Sequence, residues 1–112
     1  MSYKVIPTLK FIKQVKRLIK KYQSLKNELQ LLEKELSANP TLGTGLGNNS
    51  YKIRIAVKSK GGGKSGGMRT ITYVVTKDKE VYLLTIYDKA EQDSIDNETI
   101  KNIIKQFVPK EK

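Results

Sequence analysis

The sequence predicts an α+β fold with the element order β-α-α-β-β-β-α. Apolar residues recur every three or four positions in the first third and near the C-terminus, and every second position in the middle. Three consecutive strands with short connections predict an antiparallel meander sheet. We expect a helical hairpin and a C-terminal helix to cover one face of this sheet. The 112 residues suffice for a single domain, which we place at 1–112.

A short strand and a helical hairpin are predicted in the N-terminal part. Residues 3–6 form the strand, which Pro7 ends because proline cannot donate a ladder hydrogen bond. A helix runs from Thr8, and a second helix follows Ser24, an N-cap residue type, and ends before Pro40. The two apolar stripes comprise Phe11, Val15, Leu18 and Tyr22, then Leu25, Leu29, Leu32 and Leu36.

A glycine-containing loop and a strand of period two are predicted next. Residues 41–50 contain three glycines and predict a turn-rich loop. Residues 51–58 alternate in character and predict a strand with one apolar and one basic face. The apolar set is Tyr51, Ile53, Ile55 and Val57, and the other set is Lys52, Arg54, Ala56 and Lys58.

Two further strands and a helix complete the predicted fold. Residues 68–76 are rich in β-branched side chains, and residues 77–79 form a turn to the strand 80–87. The strand 80–87 is mostly apolar, which favours an interior position in the sheet. The last helix starts at Asp96, a good N-cap residue, and carries an apolar stripe of Ile100, Ile103, Ile104 and Phe107.

The composition indicates a protein that binds polyanions. Lys and Arg total 22 against 11 Asp and Glu, for a net charge of +11 and a pI near 9.8. Nucleic acid is the first candidate partner, a membrane surface the second, and a merely solvated basic surface is the alternative. The absence of Cys and His excludes disulfides, cysteine metal sites and histidine acid–base chemistry. We expect no membrane span and no signal peptide, and therefore a cytoplasmic location.

The stretch "GGGKSGG" at residues 61–67 resembles part of a phosphate-binding loop but does not meet its requirements. The position that needs the first glycine holds Lys58. The motif must also open a helix, whereas the residues that follow, 68–76, predict a strand. The sequence therefore argues against an NTPase.

A basic face on the predicted sheet is the candidate site. Lys52 and Arg54 share a strand face, and antiparallel pairing brings Arg69 close to Arg54 and Lys58. No acidic residue lies between positions 51 and 75. Lys89 follows the last strand, and Tyr87 is a candidate aromatic neighbour. Further candidates, for RNA binding, are Lys58, Lys60, Lys64 and Tyr73. Each cation alone is better explained as a solvated surface residue, and only the set as a whole favours a site.

Such a face has the chemistry to bind an RNA backbone or to cleave it. When a 2′-hydroxyl attacks the adjacent phosphate, preorganised Lys and Arg charges stabilise the phosphorane. A tyrosine hydroxyl can donate to the leaving oxygen. Proton transfer without histidine is less efficient, so the substrate has to be positioned by something else, such as a larger complex.

Several segments together resemble the RelE/ParE superfamily of bacterial toxins, and most closely its RelE-like and HigB-like branch. These are "SYKVI", "YKIRIAV", "GGMRTITYVV" and "EVYLLTIYDKAE", and the resemblance extends from Tyr3 to Phe107. It implies a RelE-like fold and the toxin of a type II toxin–antitoxin system. The implied activity is ribosome-dependent, metal-independent mRNA cleavage that inhibits translation, with no cofactor. The implied partners are a cognate antitoxin, the ribosome and mRNA.

The resemblance also assigns candidate catalytic residues. Lys52 and Arg54 match the basic pair on the second strand, and Arg69 matches the arginine on the third. Lys89 stands where another cation is expected. Tyr87 is the nearest match to the residue that serves as general acid in some members of the family. ParE toxins share this fold but inhibit DNA gyrase, so a non-enzymatic gyrase inhibitor remains an alternative. A plain RNA-binding module is the other.

Overall fold

The computed structural model describes residues 2–61 and 66–109 and has the predicted α+β architecture in these ranges. The strands are β1 (Lys4–Pro7), β2 (Thr44–Gly47), β3 (Ser50–Ile55), β4 (Met68–Val75) and β5 (Glu80–Asp88). The helices are α1 (Leu9–Lys21), α2 (Leu25–Ala38) and α3 (Asn97–Phe107). Within the described residues, every helix is too short or too polar to cross a membrane.

The strands form one five-stranded sheet in the order β1-β5-β4-β3-β2. Strands β3, β4 and β5 make the predicted antiparallel meander. β1 adds to β5 in parallel, with Lys4 opposite Glu80 and Ile6 opposite Tyr82. β5 is therefore hydrogen-bonded on both sides, which confirms the interior position that its apolar sequence predicts.

The prediction of a loop over residues 41–50 is wrong, because part of this segment is the edge strand β2. Thr44 pairs with Lys52 and Gly45 with Tyr51, across a two-residue turn. Asn48 and Asn49 form that turn with φ of 51° and 62°, the left-handed conformation that tight hairpins favour. Glycines have low strand propensity, so only the pairing with β3 makes this segment a strand.

Two of the predicted helix starts are confirmed by side-chain caps. The Thr8 hydroxyl accepts from the Phe11 amide at 3.2 Å and donates to the Leu83 carbonyl at 2.9 Å, which ties α1 to β5. The Asp96 carboxylate accepts from the Thr99 amide at 2.8 Å and starts α3. Each cap satisfies a helix N–H group that has no partner within its own helix.

The helices cover both faces of the sheet, so the prediction that they share one face is wrong. α1 and α2 enclose one core with the sheet, which includes Leu18, Leu36, Ile53, Met68 and Ile86. α3 encloses a second core on the opposite face, which includes Ile71, Tyr82, Leu84, Tyr87, Ile100 and Ile103. Strand β4 is apolar on both faces, so it can support a helix on each side.

A β-bulge in β5 changes which side chains face α3. The register passes from Ile71 opposite Thr85 to Thr72 opposite Leu83, so Leu84 is an extra residue. An extra residue shifts the alternation of the strand beyond it. The last residues of β5 therefore point to the faces opposite to those of a regular strand.

Candidate functional site

Three strands place two arginines and a tyrosine side by side on the α3 face of the sheet. Arg54 of β3 lies directly opposite Arg69 of β4, and Arg69 lies directly opposite Tyr87 of β5. The Cβ atoms of such opposed residues are about 5 Å apart. We call these three residues the Arg–Arg–Tyr row. Like charges directly opposite each other destabilise a sheet, so packing alone does not explain the pair of arginines.

Lys52 of β3 and Lys89, the residue that follows β5, lie near the row. Lys52 precedes Arg54 by two residues in β3 and therefore shares its face. Lys89 follows Tyr87 by two residues, and its amide donates to the Gly67 carbonyl at 3.2 Å. The structure thus brings together the five residues that were predicted to be catalytic. Their catalytic role stays a prediction.

The members of the row differ strongly in their exposure. Arg54 is exposed, whereas Arg69 and Tyr87 each expose only 5% of their surface. An Arg69 guanidinium N–H donates to the Met68 carbonyl at 3.2 Å. Ile95, in the segment 89–96 that follows β5, packs against the core that contains Tyr87. Arg54 is therefore the member of the row that solvent reaches most readily.

The Tyr87 hydroxyl is a buried donor with no hydrogen-bond partner among the described residues. Burial raises the pKa of Tyr87, the positive charge of Arg69 opposes that rise, and the negative charge of Asp93 adds to it. The group therefore stays protonated at neutral pH. A buried hydroxyl without a partner is costly, so this donor is available to an acceptor oxygen that enters the site.

Asp93 is an acidic residue within this basic site that the sequence analysis missed. Lys89 Nζ forms an ion pair with its carboxylate. The hydrogen bond and charge of Lys89 lower the pKa of Asp93, and the charges of Lys52 and Arg69 lower it further. Its spacing of four residues from Lys89 was the only signal in the sequence. Across the two described ranges, no three acidic side chains converge where a metal ion could bind.

Lys60 lies away from the row, on the side of the helical hairpin. Its Nζ is 3.3 Å from an Asp88 carboxylate oxygen and also donates to the Gly66 carbonyl. Asp88 is 1% exposed and accepts from the Tyr22 hydroxyl at 3.0 Å and the Ala90 amide at 2.9 Å. We predicted Lys60 as an RNA contact, but its charge is engaged by Asp88, so its position does not support that role.

The backbone of Lys58 also lies next to the helical hairpin. β3 has already ended before it, so Lys58 does not extend the basic strand face. Its amide donates to the Glu28 carboxylate at 2.8 Å. The neighbouring Ser59 amide donates to the Ser24 hydroxyl at 2.9 Å, while Ser24 makes no side-chain cap to α2. Lys64, another predicted RNA contact, lies outside the described residues.

Tyr73 shares a strand face with Arg69 but lies four residues away along β4. At about 3.3 Å per residue, this separates the two by about 13 Å. Tyr73 is opposite Ser50 and Tyr82, and it lines a hollow with Lys105 near the end of α3. The structure therefore does not bring Tyr73 into the row.

Gly67, just before β4, allows β3 and β4 to approach each other closely. A Cβ on Gly67 would lie 2.0 Å from the Ile55 carbonyl oxygen, so no side chain fits there. Gly66 and Gly67 lead directly into β4, as predicted, and no helix follows them. This part of the "GGGKSGG" stretch therefore serves the sheet that carries Arg69.

Comparisons with known proteins define the class of this chain. Residues 8–108 match a family model described as the RelE toxin of the RelE/RelB toxin–antitoxin system. A mutant of the Escherichia coli toxin RelE in the free state has the same fold, with a TM-score of 0.61 and 16% sequence identity. That match covers 95% of this chain and 98% of the other. The protein is thus a toxin of a toxin–antitoxin system. The chain belongs to the RelE toxin family.

Proposed function

We propose that this protein is a cytoplasmic endoribonuclease that inhibits translation by cleaving mRNA on the ribosome without a metal ion. The observation that carries the proposal is the Arg–Arg–Tyr row. In this row two like charges lie opposite each other, and beside them is a buried hydroxyl that has no partner among the described residues. Both features cost stability in the free protein, and both suit a bound phosphate. The RelE family match supports an mRNA-cleaving enzyme with an antitoxin partner.

In the proposed reaction, the 2′-hydroxyl attacks the adjacent phosphorus and the bond to the 5′-oxygen breaks. The attack produces a phosphorane whose non-bridging oxygens carry extra negative charge. Arg54 and Arg69 lie close enough together to donate to these oxygens, and fixed charges of this kind stabilise a transition state. The Tyr87 hydroxyl gives its proton to the leaving 5′-oxygen and regains one from water, while the proton of the attacking 2′-hydroxyl passes to water.

The ribosome is proposed to supply the alignment that the protein surface lacks. The row is part of a sheet face, and only Arg54 among its members is exposed. A flexible RNA strand on such a face would seldom hold its 2′-hydroxyl in line with the phosphorus–oxygen bond. Holding the reacting groups in place contributes a large part of many rate enhancements. An mRNA held in the ribosome already has this restraint.

We expect cleavage of mRNA on ribosomes but not of the same RNA free in solution. The toxin is treated with EDTA and desalted, then incubated in magnesium buffer with ribosomes that carry an mRNA. A sucrose gradient checks that the ribosomes are intact. Primer extension should show the same cuts as with untreated toxin. Equal cutting of free RNA would overturn the ribosome dependence. Loss of cutting that added zinc or manganese restores would show that the toxin needs a metal of its own. Inhibition of gyrase supercoiling, without cleavage, would favour the ParE-like alternative.

Replacing Tyr87 with phenylalanine should separate catalysis from stability. We expect cleavage to fall by about 10²-fold, as for the loss of a general acid. The melting temperature should stay equal or rise, because the variant removes a buried hydroxyl that lacks a partner in the described structure. Tyr73→Phe is the matched control, since Tyr73 is a β4 tyrosine outside the row, and it should keep full activity. Equal activity of both variants would remove Tyr87 from the mechanism.

A further inference from the structure

The segment between β5 and α3 holds a carboxylate against the basic site. Lys89 Nζ contacts the Asp93 carboxylate and also donates to the Asp93 backbone carbonyl at 3.2 Å. The segment starts with a turn in which the Asp88 carbonyl accepts from the Gln92 amide at 2.9 Å. It ends at Asp96, which caps α3. Because both ends are anchored, Asp93 has a defined place beside Lys89.

The same carboxylate also faces the charges of the neighbouring strands. Its pKa is lowered first by Lys89, which follows β5, and then by Lys52 of β3 and Arg69 of β4. A low pKa makes Asp93 a weak base, so it is poorly suited to accept a proton from a 2′-hydroxyl. Its side chain is 89% exposed, so water and salt screen the attraction and keep it weak.

We propose that Asp93 is a specificity-determining residue whose carboxylate takes the place of an RNA phosphate in the free toxin. The inference rests on the proposed function of this site. An incoming phosphate must displace the carboxylate from Lys89 and meets its negative charge until it does. Loosely held RNA then binds poorly, whereas an mRNA held by the ribosome gains enough contacts to displace Asp93. The residue would thus limit unproductive binding to bulk RNA.

The affinity for free RNA tests this proposal without any need for cleavage. The probe is a fluorescein-labelled single-stranded RNA of ten nucleotides with 2′-O-methyl groups, followed by anisotropy over a series of salt concentrations. We expect Asp93→Asn to bind it about fivefold more tightly at low salt, in the range of one surface charge pair. The slope of the logarithm of its binding constant against the logarithm of salt concentration should steepen by about 0.7. This is the value for one more phosphate contacted on a single strand.

Asp78→Asn is the matched control, because it makes the same charge change in the turn between β4 and β5. If Asp78→Asn tightens binding equally, net charge alone explains the effect and the proposal is overturned. Unchanged binding by Asp93→Asn would also overturn it. Weaker binding would overturn it too, and would mean that Asp93 orders Lys89 for binding.

The pKa of the Asp93 carboxylate provides a second measurement of its displacement. The pKa of Asp93, measured by NMR, should rise when the RNA analogue is added, because the carboxylate loses its cations and gains a phosphate neighbour. An unchanged pKa with bound RNA would mean that the carboxylate is not displaced. Failure of the proposed function looks different: the toxin would then cut no mRNA on ribosomes, while the binding difference between the two variants persists.

Discussion

Replacing Arg69 with alanine is expected to abolish toxicity while the protein stays folded. Arg69 lies between Arg54 and Tyr87 and is held by β4, so its charge is fixed before substrate binds. Removing one preorganised transition-state contact costs about 10²-fold or more in rate. The measurements are growth after induction and the rate of mRNA cleavage on ribosomes. We expect a larger effect than for any single lysine replaced in the segment 13–21 of α1.

Two further variants separate the chemistry of Arg69 from its packing, since its side chain is buried. Lys13→Ala removes an exposed cation from α1 and should keep activity. Arg69→Lys keeps the charge but not the planar fork, so we expect activity between those of wild type and Arg69→Ala. Circular dichroism melting checks that all three remain folded. Full toxicity of a folded Arg69→Ala protein would make Arg69 an ordinary structural cation.

Replacing Asp88 with asparagine is expected to cause a large loss of stability. The Asp88 carboxylate is buried and accepts from Tyr22, Ala90 and Lys60, which lie in three separate parts of the chain. Breaking a buried ion pair by removing one partner typically costs about 3 kcal/mol or more, and we expect the lower end because Lys60 can turn towards water. Urea unfolding gives the free energy, and Asp78→Asn, an exposed acid, is the control.

The pH dependence of this loss follows from the pKa of Asp88. Burial alone would raise that pKa, but hydrogen bonds from Ala90, Tyr22 and Lys60, with the Lys60 charge, lower it below the ordinary 3.8. A carboxylate with a lowered folded-state pKa stabilises the fold above its unfolded-state pKa, and the stabilisation disappears as the pH falls through the folded-state pKa. The difference between wild type and Asp88→Asn should therefore be full at neutral pH and shrink below 3.8. A difference that is equal at pH 7 and pH 2 would contradict this account.

The sequence by itself predicted the elements whose patterns are local. The apolar stripes gave α1, α2 and α3 close to their observed bounds, because a helix that packs on one side repeats every 3.6 residues. The alternation in β3 put Lys52 and Arg54 on one face. Antiparallel pairing across a connection that follows β3 then brought Arg69 next to Arg54, as predicted.

Features that depend on contacts between distant segments could not be predicted in this way. The glycine-rich β2 is a strand only through its pairing with β3. The apolar stripe of α3 is the same whichever face of the sheet it covers. Lys60 looked like another exposed cation, and only the folded chain shows its pairing with Asp88.

The candidate site itself was decided by two tertiary features. Strand β5 is apolar almost throughout, so its sequence does not reveal which residues face α3. The bulge at Leu84 reverses the alternation and places Tyr87 beside Arg69, where a regular strand would have turned it towards the hairpin. The segment after β5 then folds back and brings Asp93 to Lys89, beside a row of two arginines and a tyrosine that contains no acidic residue. Sequence patterns record local periodicity, whereas register shifts and returning loops are set by the packing of the whole sheet.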